Sequence, residues 1–135
     1  MKEIRFLTLK EVIKFHDYQL FLFGGLDGIR DHNLLESALY NPQSSFDGNF
    51  LYKNIFEMAA AYAHGIIKNH PFFDGNKRTG TASAVTFLRY NRYKLTLTES
   101  ELYSLAINIA TSKTTPKKVA TIFKKMSQPL KLAKH

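Results

Sequence analysis

The chain is 135 residues long, 44% of it apolar, with a formal net charge of +8. That length suits one domain with a single core, and the absence of cysteine excludes disulfides and thiolate chemistry, which is compatible with the cytosol. No apolar run approaches a membrane span and no apolar signal segment follows the charged start from Met1 to Arg5, so a cytoplasmic protein without membrane contact is expected.

The charge is unevenly placed. Residues 102–135 hold seven lysines and no acid, whereas residues 1–101 hold 12 basic side chains against 11 acidic ones. Such a segment could meet nucleic acid, an acidic protein or a membrane surface. A solvated lysine face is the simpler reading. Beyond Phe123 no aromatic side chain interleaves the lysines, which argues against direct nucleic-acid binding.

Thr8-Leu9-Lys10-Glu11 is a capping box and predicts a helix start after Thr8. Leu9, Val12, Ile13, His16, Leu20 and Phe23 follow one face of it, and Gly24-Gly25 closes it. His16, on the apolar stripe, reads as a core or boundary histidine with its hydrogen bonds satisfied. A short helix from about Asp31 to Tyr40 ends at Asn41-Pro42. The polar stretch Gln43–Phe50 contains Asp47-Gly48, a hairpin-turn signal. It reads as a surface loop or as a flap over a site.

The next helix runs from about Tyr52 to Asn69, with a wide apolar face and small residues that suit close packing; Met58 is core filler. His64 lies six residues before His70, a spacing that fits no helical zinc site, and a metal reading of the pair is rejected. A helix from Asn76 to about Tyr90, an extended piece at Lys94–Leu97 and a second capping box at Thr98–Glu101 follow. Thr115-Pro116 starts the last helix, which Pro129 is expected to stop. The whole reads as a compact all-α domain of about six helices with a small β-hairpin. It covers residues 1–128, with residues 129–135 a basic, disordered tail.

The chain is organised around His70-Pro71-Phe72-Phe73-Asp74-Gly75-Asn76-Lys77-Arg78-Thr79-Gly80. Pro71 disfavours helical geometry at His70. Gly75 permits a tight turn and a close ligand. Asn76 opens a helix whose free N–H groups and dipole favour an anion. Lys77 and Arg78 oppose that dipole unless an anion, such as phosphate, resolves the conflict. Histidine changes charge near neutrality and can take a proton from a hydroxyl. Asp74 can hold magnesium, Gly75 and Asn76 can donate to phosphate oxygens, and Lys77 and Arg78 can neutralise a polyphosphate. Singly each residue is commonplace. Together they are the parts of a phosphate-transfer or phosphate-hydrolysing site, with His70, Lys77 and Arg78 catalytic.

His70 to Arg78 reads H-P-F-F-D-G-N-K-R and resembles the signature of the Fic/death-on-curing superfamily, H-P-F-x-(D/E)-G-N-(G/K)-R. Gly28-Ile29-Arg30-Asp31, Leu34–Leu39 and Pro42-Gln43 resemble the upstream block of the death-on-curing branch, and the likeness covers roughly residues 6–125. It implies a helical fold with the active loop between two central helices and a flap near residues 43–52. His70 would be the general base, Asp74 the magnesium ligand, and Asn76 and Arg78 phosphate binders. Lys77 stands where adenylyl-transferring Fic proteins have glycine, and Thr81 where they often have a second arginine; both lean toward the death-on-curing branch. That branch implies the toxin of a bacterial toxin–antitoxin pair. Such a toxin uses ATP and Mg2+ to move the γ-phosphoryl group to a Ser/Thr hydroxyl of a translation elongation factor. The alternatives are a protein adenylyltransferase and a non-catalytic nucleotide- or peptide-binding module. No glutamate here precedes glycine or asparagine, so the self-inhibitory (S/T)-x-x-x-E-(G/N) pattern is missing. Restraint is therefore expected from a cognate antitoxin, a DNA-binding protein whose C-terminal segment folds on binding.

Overall fold

The structure is a computed structural model describing Glu3 to Lys131. Among these residues six α-helices follow one another: α1 (Leu9–Phe23), α2 (His32–Tyr40), α3 (Ile55–Asn69), α4 (Asn76–Tyr90), α5 (Glu99–Ala110) and α6 (Pro116–Lys125). Two small antiparallel pairs accompany them, β1 (Ser45–Phe46) with β2 (Asn49–Phe50) and β3 (Tyr93–Leu95) with β4 (Ser127–Pro129). The all-α expectation holds. No helix among the described residues is long and apolar enough to cross a membrane.

The capping signals act where the sequence puts them. Thr8 and Thr98 each accept from the backbone N–H of a glutamate three residues on, and Glu11 and Glu101 reach back. Asp31 and Thr115 cap α2 and α6. Helix α3 starts later than the periodicity suggests, because the Asn54 side chain accepts from both Phe56 and Glu57 N–H and so fixes the first turn.

Helix α3 is the centre of the molecule, packed by α2, α4, α5 and α6. It buries Phe56, Met58, Tyr62, Ile66 and Ile67, each favouring the folded state by roughly 1.5–3 kcal/mol over exposure. Its alanines let neighbours approach. Closest is α4 at Gly80, where a Cβ would come within 2.7 Å of Ile67 Cγ1 and 3.2 Å of the Ala63 carbonyl. Helices α3 and α4 are thus locked as an antiparallel pair, and their connection, residues 70–75, emerges at one end of it.

The opposite end is strapped by the N-terminal segment. Arg5 and Asn91 exchange two hydrogen bonds of 3.0 Å, and Leu7 N–H donates to the Tyr62 hydroxyl at 3.0 Å. The expected hairpin forms, with Asp47 and Gly48 both at positive φ (52° and 80°), the primed turn that suits a two-residue connection. As a cover for the active loop it departs from expectation. Its Phe50 packs edge-on to Phe6 (5.5 Å), which stacks on Phe87 late in α4 (5.8 Å), and no hairpin residue lines the cleft beside His70.

The C-terminal region also differs. Helix α6 ends at Lys125, before Pro129, and residues 127–129 pair with β3 in the register Tyr93↔Pro129, Lys94↔Gln128, Leu95↔Ser127. Proline is tolerated there because each strand is an edge. The tail expected over residues 129–135 falls mostly on residues 132–135, outside the described residues. The extended piece is Tyr93–Leu95, one residue earlier than its expected start.

Candidate active site

The loop between α3 and α4 is built on a buried anchor. Phe72 is 1% exposed, and the His16 ring of α1 stacks on it at 3.8 Å and 9°. The Asn76 side chain closes the loop, accepting from Phe72 N–H at 3.0 Å and donating to Phe72 C=O at 2.9 Å. An isolated bridge pairs Phe72 with Ile29. His16 Nε2 lies 2.8 Å from the Asp74 carbonyl. A carbonyl only accepts, so Nε2 carries the hydrogen and donates. His16 is thus a buried histidine with a satisfied bond, and it also holds the loop in place.

On this frame the chemistry-bearing groups come together. His70 is the C-cap of α3, in the left-handed region (φ 52°, ψ 54°), where Pro71 helps to rule out continued helix, and it is exposed. Asp74 accepts from Leu26 N–H through Oδ2 at 2.6 Å. Its Oδ1 has no hydrogen-bond partner among the described residues. Gly75, at φ 82°, leads into α4, which begins with no side-chain cap. The first internal bond of α4 is Thr79 N–H to Gly75 C=O at 2.9 Å. The N–H groups of Asn76, Lys77 and Arg78 therefore precede any helical acceptor, and they meet the cleft at the positive end of the helix.

Arg78 is held by aromatic faces. Its guanidinium lies 3.6 Å from the Phe23 ring of α1 and 4.5 Å from the Tyr103 ring of α5. No carboxylate pairs with it among the described residues. Stacking leaves the in-plane N–H donors free, an arrangement suited to a bidentate anion. Thr81 turns inward and donates to the Lys77 and Arg78 carbonyls at 3.3 and 3.2 Å.

His70, Asp74, Gly75, Lys77 and Arg78 line a single cleft of about 310 Å³, with Phe23 and Tyr103 at its wall. Asn76 also borders it, but its side chain is 3% exposed and engaged with Phe72. Of the backbone and amide donors that Asn76 could offer an anion, the amide is thus engaged within the loop and the backbone N–H is left. The donor set fits magnesium, which takes one or two carboxylates and fills its remaining positions with water and substrate phosphate; Asp74 Oδ1 is the carboxylate oxygen left without a hydrogen-bond partner among the described residues. Arg78 also borders a second pocket of about 190 Å³ between α4 and α5. Phe23 and Tyr103 at the cleft wall went unassigned from sequence. They lie 55 and 25 positions from Arg78 and announce themselves only through the fold.

Residues 6–88 match the profile of the Fic/DOC family. The Toxin Doc of Mycolicibacterium smegmatis is 41% identical over 73 residues, 54% of this chain and 56% of that protein. The Protein kinase doc of Escherichia phage P1 is 29% identical over 123 residues, 91% of this chain and 96% of that protein. The chain thus matches just over half the length of the first relative and nearly all of the second.

Proposed function

The chain belongs to the Fic/DOC family, and from that premise we propose that it is the toxin of a bacterial toxin–antitoxin pair, acting as a protein kinase on a Ser/Thr hydroxyl. The observation that carries this reading is the convergence of His70, Asp74, the uncapped start of α4 and the stacked Arg78 on one cleft. The names of the two relatives, a toxin and a protein kinase, point the same way. The acceptor is a translation elongation factor, the nucleotide is ATP, and transfer in the cytoplasm blocks translation. An antitoxin restrains the toxin by folding a C-terminal segment onto it.

In this mechanism His70 removes the proton from the acceptor hydroxyl as its oxygen attacks the γ-phosphorus. The bond from that phosphorus to the β–γ bridging oxygen breaks, and ADP leaves with the electron pair. Backbone N–H groups at the start of α4 hold the phosphates, while Lys77 and Arg78 offset the charge on the equatorial and leaving oxygens. Asp74 would hold magnesium, which would supply further charge neutralisation when bound. Lys77 lines the cleft where a glycine would leave room for backbone approach, which favours γ- over α-phosphate transfer.

The test is a pair of incubations with bacterial extract, one with γ-labelled and one with α-labelled ATP, followed by peptide mass analysis. A target gaining one phosphate on Ser or Thr is the expected result. A target gaining an adenylyl group overturns the kinase assignment and leaves the transferase site standing. No modification of any protein, with growth arrest persisting, overturns both.

A further inference from the structure

The imidazole of His70 can only be as well placed as the backbone that carries it, and that backbone is in a region disfavoured for residues with a Cβ (φ 52°, ψ 54°). The carbonyls of Asn69 and His70 belong to the last turn of α3 and have no helical donor. Arg30, from the segment before α2, serves both. Its Nε donates to the His70 carbonyl at 2.7 Å and its Nη2 donates to the Asn69 carbonyl at 2.9 Å. Its own backbone N–H donates to the Pro71 carbonyl at 2.7 Å, so the arginine is fixed to the segment it clamps.

Geometry makes this pair of bonds more than a helix cap. The Asn69 and His70 carbonyls sit on the two peptide planes that flank the His70 Cα. Their relative orientation is set by φ and ψ of His70 alone. The guanidinium is a rigid planar fork, so its N–H directions are fixed with respect to each other. A fork that engages both carbonyls therefore fixes both dihedrals, and with them the direction of the His70 Cα–Cβ bond. Ammonium cannot do this, because its donors rotate on a flexible stem.

We propose that Arg30 is a positioning residue for His70, holding the left-handed backbone from which the imidazole reaches the reacting hydroxyl. This rests on the reading of His70 as the catalytic base. It also gives the Gly28-Ile29-Arg30-Asp31 block a physical role, since Phe73 N–H donates to Gly28 C=O at 3.2 Å on the far side of the clamp.

The test compares Arg30→Ala, Arg30→Lys and Arg30→Gln in the full chain. Since about 1 Å of misplacement costs roughly 10²-fold in rate, Arg30→Ala should lower kcat by about that factor while KM for ATP stays within about twofold. Arg30 is exposed, so the melting temperature should change little. Arg30→Lys keeps the charge without the fork and should remain slow. Millimolar guanidinium should restore part of the Arg30→Ala rate. Full activity in Arg30→Ala, or wild-type kcat in Arg30→Lys, overturns the proposal. Backbone NMR of His70 decides independently of any transfer activity: loss of the positive-φ signature in Arg30→Ala supports the clamp, and its retention sinks it. Arg30→Gln serves both measurements if the alanine variant does not fold. If the wild-type chain transfers nothing to any acceptor, it is the kinase reading that fails, and the NMR result still judges Arg30.

Discussion

Asn76 and Phe72 hold each other by a closed pair of hydrogen bonds, side-chain amide to backbone, in which both amide atoms and both peptide groups are satisfied. The pairing is buried and spans the turn that carries Asp74 and Gly75. Replacing Asn76 by Ala leaves a buried N–H and a buried C=O without partners, each costing about 1–3 kcal/mol. The variant should melt several degrees lower. Asn76→Asp keeps an acceptor for Phe72 N–H but sets a carboxylate against Phe72 C=O, and should be destabilised as well. Thermal unfolding decides it; wild-type melting in both variants would contradict the role given to this pair.

His70→Ala removes the base and leaves the phosphate-binding helix start untouched. Transfer should slow by about 10²–10⁴-fold, while ATP affinity measured by calorimetry stays near wild type. Induction of the variant in cells should no longer arrest growth. Arrest equal to that of the parent would mean that toxicity does not come from catalysis.

The stack of Phe23, Arg78 and Tyr103 should tune nucleotide affinity more than stability, since the two rings are 53% and 39% exposed. A cation–π contact contributes about 0.5–2 kcal/mol. Phe23→Ala or Tyr103→Ala should therefore weaken ATP binding by roughly 2- to 30-fold. Tyr103→Phe keeps the aromatic face and should bind as the parent does. Calorimetric titration with ATP compares the three, and a Tyr103→Phe defect as large as that of Tyr103→Ala would shift the credit from the ring to the hydroxyl.

Acid should weaken the fold in two separable steps. Burial lowers the His64 pKa below its ordinary value of 6.5, outweighing the bond from its Nδ1–H to the Ala60 carbonyl. The unfolded chain therefore takes up this proton first, and stability is lost as pH falls from about 6.5 toward the lower folded value. At Glu11, burial raises the carboxyl pKa. The Tyr90 hydroxyl, Thr8 and Arg5 overcome that and hold it below 4.5, so its contribution is lost as pH falls below about 4.5. Melting curves across pH 7 to 3 should show the first slope reduced in His64→Gln and the second reduced in Glu11→Gln, the remainder of the second coming in part from Glu101, which Thr98 holds below its ordinary value. Unchanged slopes in either variant would assign the acid sensitivity elsewhere.

Most of the fold was legible because its signals are local. Thr8 with Glu11, Thr98 with Glu101 and Thr115 with Pro116 each announce a helix within four residues, and Asp47-Gly48 announces its turn. The gathering of His70, Asp74, Lys77 and Arg78 was legible for the same reason, since nine consecutive positions carry it. What escaped reading depends on distant partners. Pro129 looks like a helix stop until Tyr93 is seen beside it. The Asn76 side-chain amide looks like a phosphate donor until Phe72 claims it. Phe23 looks like the last residue of an apolar helix face until Arg78 lies over its ring.

The pairing of β3 with β4 joins residues on either side of α5 and α6, and Leu130 N–H extends it to the Arg92 carbonyl at 2.8 Å. A chain cut short before residue 127 would keep every residue of the His70–Arg78 loop. It would nevertheless expose the Tyr93–Leu95 edge, an unpaired template for other strands. Such a chain should therefore associate through that edge before its intact loop can act.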